Sequence, residues 1–200
     1  DLYFNYSINQ DLRDKKFRTE DGYVTTFTQE LPVISDNSEI SNAFEVTKYK
    51  KLSTTSKMVG KVSFFGKTVT GLSDDVRISK RLNIPSSRLR GFQRGKVGPI
   101  ENNDYIGGNH LSSLNLSATL PNVVQGLDNL DVGVFFDAAN LWGIDYDSSL
   151  DDKSTIRSST GVALNLLTPI GPLSFSFANA LSKASSDKTE TFRFNLGTQF

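Results

Sequence analysis

Leu2, Phe4, Tyr6 and Ile8 alternate with Tyr3, Asn5, Ser7 and Asn9, the two-residue period of a strand with one apolar and one mostly polar face. The period recurs along the chain. Tyr23 to Leu31 is rich in threonine and aromatics and is closed by Pro32. Ile40, Phe44 and Val46 oppose Glu39, Ser41, Glu45 and Thr47; Met58, Gly60, Val62 and Phe64 oppose Lys57, Lys61 and Ser63. Further on, Leu114, Leu116, Ala118 and Leu120 oppose Ser113, Asn115, Ser117 and Thr119. Val132, Val134 and Phe136 oppose Asp131, Gly133, Phe135 and Asp137, and Ile156, Val162, Leu164 and Leu166 oppose Arg157, Ser159, Gly161, Ala163 and Asn165. Leu173, Phe175 and Phe177 oppose Ser174, Ser176 and Ala178; Phe192, Phe194, Leu196 and Phe200 oppose Arg193, Asn195, Gly197 and Gln199. Turn residues separate these runs at Asp21-Gly22, Asp36-Asn37-Ser38, Ser53 to Ser56 and Thr168 to Pro172. The pattern predicts nine strands and no helix.

These strands run about 9 to 13 residues, beyond the 5 to 6 usual in soluble sheets and long enough to cross a bilayer at a tilt. Their polar faces are small: serine, glycine, asparagine, threonine, alanine. A soluble sandwich puts large residues on its buried face and lysine and glutamate on its wet one. Here the large apolar residues are expected to face lipid and the small polar ones a lumen. The fold class is therefore all-β, an antiparallel transmembrane β-barrel; a soluble sandwich ranks behind a small passive barrel that binds or conducts a solute. Loops alternate short and long, less cleanly in the first third, as in barrels with short turns at one end and long loops at the other. Nine is an odd count where single-chain bacterial barrels have even numbers, so either a strand is miscounted or this is part of a larger barrel.

One segment, residues 71–107, has neither period. It carries Ile84, Pro85, Leu89, Phe92, Val97, Pro99 and Ile100, too apolar for a solvated linker. Its basic apex, Ser86-Ser87-Arg88-Leu89-Arg90-Gly91-Phe92, is expected to pack into something, and the strands on either side are the candidate.

Composition narrows the chemistry. The 200 residues suffice for one domain, the formal charge is zero, there is no cysteine and one histidine. That argues against a nucleic-acid face, a thiolate centre and a multi-histidine metal site; no cofactor is expected. No apolar run reaches transmembrane-helix length, which leaves barrels open. The first residue is Asp1, which predicts a processed product or a fragment. Asp145, Asp147, Asp151 and Asp152 lack calcium-loop spacing and read as a solvated loop. His110 has no catalytic companions. Lys48, Lys50 and Lys51 read as a solvated rim, with lipid headgroups or phosphate as the alternative. Tyr23, Tyr49, Tyr105, Tyr146 and Trp142 fall near strand ends, where interfacial aromatics collect.

Arg88-Leu89-Arg90-Gly91-Phe92 resembles the Val-Arg-Gly-Phe/Tyr signature of the BamA family of outer-membrane assembly proteins. Gly98-Pro99, Gly107-Gly108-Asn109, Phe136-Asp137 before Leu141-Trp142, Gly161-Val162-Ala163-Leu164, Thr168 to Leu173 and the closing Phe192-x-Phe194-x-Leu196-Gly197-x-x-Phe200 follow in the family's order. The match is dense from Arg88 to Phe200 and thinner before it.

The resemblance implies that residues 1–200 are one barrel domain, about the last eight or nine strands of a sixteen-strand barrel, with the basic loop folded into the lumen. It implies folding and insertion of β-barrel proteins into the bacterial outer membrane, without enzymatic chemistry, metal or nucleic acid. The implied partners are outer-membrane lipid, unfolded β-barrel substrates and assembly lipoproteins. Related transporters, a partner secretion pore or an autotransporter assembly factor, are the nearest alternatives. The family's loop arginine pairs with two acids on the wall; Arg90 matches it, Asp137 matches one acid, and the other position falls on uncharged Ser117. Without the motif, Arg90 would read equally as part of an exposed basic loop. Gly91 and Phe92 would give the tip a tight turn and an anchor, or be ordinary loop residues. Phe192, Phe194, Leu196, Gly197 and Phe200 resemble the sorting signal of outer-membrane barrels; the alternative is an ordinary amphipathic edge strand. Such an edge predicts closure into a smaller barrel or self-association.

Overall fold

The computed structural model describes residues 1–35, 38–53, 55–121, 123, 129–150, 155–168 and 171–196. Its long strands are β1 (Leu2–Asp11), β2 (Gly22–Ile34), β3 (Glu39–Lys51) and β4 (Val59–Gly71), then, after a two-stranded hairpin of β5 (Ile100–Glu101) and β6 (Asp104–Tyr105), β7 (His110–Leu120), β8 (Leu130–Trp142), β9 (Arg157–Thr168), β10 (Gly171–Ser182) and β11 (Phe192–Leu196). The nine long strands form one antiparallel sheet in the order β1-β2-β3-β4-β7-β8-β9-β10-β11. Each neighbour in the sheet is the next long strand in the chain, so each pair closes as a hairpin or, between β4 and β7, around the long loop. Among the described residues the other sheet is the two-stranded β5–β6 hairpin, too small to form the second layer of a sandwich. Among the described residues β1 and β11 do not pair with each other, and each leaves one edge free.

Burial runs opposite to that of a water-soluble sheet. Phe44, Val62, Phe64, Leu114, Val134, Val162, Phe177, Phe192 and Phe194 are exposed, while Ser41, Thr47, Ser63, Ser113, Asp137, Ser159 and Ser176 are buried. The strand period dictates this: residues two apart share a face. The apolar face is the lipid face and the small polar face is the lumen wall.

The sheet curls around the loop between β4 and β7. This segment has more regular structure than its sequence predicts: a 3-10 turn at Ile78–Lys80 and the β5–β6 hairpin. It brings its own apolar residues inward. Val76, Leu82, Ile84, Leu89, Phe92 and Val97 from the loop form one buried cluster with Val69, Leu111, Ala139 and Leu141 of the wall. At the opposite end the β1–β2 loop folds across the lumen, where Arg18 reaches Asp131 of β8 at 3.0 Å. Lys15 and Lys51 both bond Glu20 there and hold its carboxyl down to about 2. Lys50 pairs with Asp21 at 2.9 Å. Two of the three lysines expected as a solvated rim are thus engaged with the β1–β2 loop.

Candidate functional site

Asp137 sits near the middle of β8 on the lumen face and is wholly buried. Its register neighbours are Asn115 on β7 and Ser159 on β9. These three side chains make a row across three strands, and the loop tip lies on it. The Nε and Nη2 of Arg90 donate to the two carboxylate oxygens of Asp137, each at 2.7 Å, and the Arg90 backbone N–H donates at 3.1 Å. A planar guanidinium matches a carboxylate in this two-pronged way. Asn115 donates to Asp137 and to the carbonyl of Arg88, both at 2.8 Å. Ser159 donates to the carbonyl of Arg90 at 2.6 Å. The Arg90 guanidinium also stacks 3.5 Å from the centre of the Phe135 ring.

The rest of the tip is fixed residue by residue. Arg88 turns the other way, pairing with Glu45 at 2.8 Å and stacking on Phe65. Leu89 and Phe92 are each 2% exposed within the apolar cluster. Gly91 has φ +87°, and a Cβ there would stand 3.1 Å from the Cβ of Ala178 and 3.4 Å from that of Ser159. Only a residue without a side chain lets the backbone lie this close to the wall in this conformation.

Ser117 is not a partner of Arg90: no hydrogen bond joins them. Ser117 stands opposite Lys61 and Phe135, one pleat away from Asp137. Asn115, directly opposite Asp137, supplies the second contact instead.

Several contacts carry no signal in the sequence. Phe92 pairs with Thr189 in an isolated antiparallel bridge, flanked by bonds from Gln93 to Lys188 and from Glu190 to Gly91. Arg193 on β11 donates to the carbonyls of Ser86 and Phe92. Arg157 and Asp187 form a fully buried pair at 2.9 Å, and Asp187 also accepts from the N–H groups of Ala184 and Gly98. On the other flank, Arg77 pairs with buried Glu39 at 2.8 Å. Asp145 accepts from the Val76 N–H and the Asn109 amide and pairs with Arg81 at 3.3 Å. Burial raises its pKa, but the Val76 and Asn109 bonds and the Arg81 charge hold it below the usual aspartate value. Asp145 therefore fastens the loop rather than standing in water as its sequence suggests. Asp151 and Asp152 lie outside the described residues.

Tyr105 and Tyr146 also serve the loop: Tyr105 donates to the Ser186 carbonyl and Tyr146 to Glu101. His110 packs against Trp142, ring centres 5.5 Å apart. Among the described residues no three His, Cys, Asp or Glu side chains converge as a metal site. On β11, Phe192, Phe194 and Leu196 point outward, with Phe192 and Phe194 against Phe175 of β10. Gly197 and Phe200 lie outside the described residues.

An apolar-out, polar-in sheet of long strands with a loop docked into its lumen defines the wall of a plugged transmembrane β-barrel. The Omp85 superfamily domain matches residues 1–200. The outer membrane protein assembly factor BamA of Neisseria meningitidis serogroup B (strain ATCC BAA-335 / MC58) is 31% identical over 141 residues, covering 56% of this chain and 17% of that protein. That of Neorickettsia risticii (strain Illinois) is 28% identical over 117 residues, covering 57% of this chain and 16% of that protein. The crystal structure of BamA from Haemophilus ducreyi lacking POTRA domains 1-3 superposes with a TM-score of 0.88 at 24% identity, over 97% of this chain and 41% of that one. The chain belongs to the Omp85 superfamily, and its place is the bacterial outer membrane. It spans about a sixth of the curated relatives it matches.

Proposed function

We propose that this barrel segment works in the folding and insertion of β-barrel proteins into the bacterial outer membrane. The observation that carries the reading is the inward loop, seated by Arg90 on Asp137 within a sheet whose relatives are assembly factors. A passive pore is disfavoured by a loop that packs its own apolar cluster against the lumen wall.

The work is not covalent catalysis. Arg90 and Asp137 bond each other and hold the loop. The free energy of insertion comes from the client chain itself, which buries apolar residues in lipid and satisfies its backbone by strand pairing. The partners are then unfolded β-barrel proteins, outer-membrane lipid and assembly lipoproteins. The edge of β11 that no described strand covers is where a strand of another chain, or of a second copy, would pair.

The test is depletion of the protein in its own cells. Folded β-barrels should fall in the outer membrane while their precursors accumulate. Unchanged barrel levels after depletion would overturn the proposal.

A further inference from the structure

Between the loop tip and the β1–β2 loop the lumen keeps a cavity of about 680 Å³. Its charged wall is unbalanced. Lys61 of β4 lines it and is only partly exposed. The charged groups that act most strongly on Lys61 are Arg90, Glu45, Arg88 and Asp137. Both acids are engaged, Glu45 by Arg88 at 2.8 Å and Asp137 by Arg90 at 2.7 Å. Three cations thus share two carboxylates, and Lys61 is the one left over. Among the described residues it makes no hydrogen bond or ion pair, and its ammonium stands 5.8 Å from the centre of the Tyr49 ring. Directly across the strand pair stands the hydroxyl of Ser117, with Ser63 and Asn115 forming the next pair along.

A shielded ammonium without a counter-charge is costly unless something pairs with it. Three ammonium donors, adjacent hydroxyls and the field of two guanidiniums are the chemistry that recognises an oxyanion. The neighbours of Lys61 along β4, Val62 and Phe64, face outward, so Lys61 points away from lipid and a headgroup held in the bilayer does not reach it.

We propose that Lys61 and Ser117 hold a small free oxyanion of the phosphate or sulfate class in the lumen, beneath the Arg88–Arg90 loop tip. The bound ion neutralises the third cation and so ties the wall of β4 and β7 to the seated loop. This makes the grip on the loop depend on a diffusible ion.

The test follows the thermal unfolding midpoint of the whole chain in detergent, and the rate at which trypsin cuts its loop. Inorganic phosphate is titrated against chloride at fixed ionic strength. The wild type should show a saturable rise in midpoint and slower cleavage with phosphate. In K61Q that response should vanish, and the midpoint in chloride should match or exceed the wild type, because an unpaired charge has gone. In S117E a built-in carboxylate should raise the midpoint in chloride and abolish the phosphate response. A phosphate response of equal size in K61Q would mean a general salt effect and overturn the site. So would a K61Q midpoint below wild type in chloride, since Lys61 would then have a partner within the protein. No response of the wild type to phosphate, including the case where only an acidic peptide acts, also overturns it.

Discussion

Arg157 and Asp187 are both fully withdrawn from solvent, and the pair joins the start of β9 to the segment between β10 and β11. Asp187 also takes the N–H of Gly98, so one carboxylate connects the wall, the β10–β11 segment and the returning leg of the long loop. Removing one member of a buried pair strands the other charge, at a cost of about 3–5 kcal/mol. Asp187→Ala is therefore expected to lower the unfolding midpoint of the chain in detergent and to speed proteolysis near Gly98. Asp187→Asn should lose less. Equal effects of the two would place the role in packing rather than charge.

Phe92 is the apolar counterpart of that pair. It is buried among Leu89, Val97 and Leu141 and bridged by backbone to Thr189. Phe92→Ala should destabilise the docked loop by about 3–5 kcal/mol, seen as faster tryptic cleavage in the loop with the strands still formed by circular dichroism. Loss of the strand signal as well would show that the sheet depends on the loop.

Gly91 and Gly95 both have positive φ, +87° and +67°, but a Cβ at Gly95 meets nothing within 4 Å. Gly91→Ala and Gly95→Ala carry a similar backbone cost of about 1–2 kcal/mol. Gly91→Ala adds the contact with Ala178. Its midpoint should fall further than that of Gly95→Ala; equal shifts would mean that the approach to the wall is not tight.

Asp145 gives the loop a pH dependence. Its carboxyl is held below the ordinary value in the fold. The stabilisation is complete above about pH 5, where the unfolded group is already ionised, and is lost as pH falls through the depressed folded value. Tryptic sensitivity near Val76, sampled by acid pulses, should rise over that window in the wild type and change less in Asp145→Asn. Parallel profiles would assign the acid response to other carboxylates.

Most strands were legible because a two-residue period sets apolar positions against small polar ones: on β7, Leu114, Leu116, Ala118 and Leu120 against Ser113, Asn115, Ser117 and Thr119 fix which way the strand points. Asp137 as the partner of Arg90 came from motif order. Asn115 did not, because whether Asn115 or Ser117 stands opposite Asp137 is a matter of register, which the residues on one strand do not specify. Arg157, Arg193 and Asp187 were invisible for a different reason. Two are single polar positions on a polar face and one lies in a loop, and they meet parts of the chain between 30 and 107 positions away. Strand ends are also where the long loop is fastened, and Tyr105 and Tyr146 serve its packing there.

The most direct measurement is the tryptic cleavage pattern at Arg88 and Arg90 in the detergent-solubilised chain, wild type against Asp137→Ala. The seated loop predicts that both bonds resist in the wild type while exposed sites such as those in the β1–β2 loop are cut, and that Asp137→Ala exposes them. Cleavage at Arg88 and Arg90 in the wild type as fast as at exposed sites, or a pattern unchanged by Asp137→Ala, would contradict the docking of the loop through this pair.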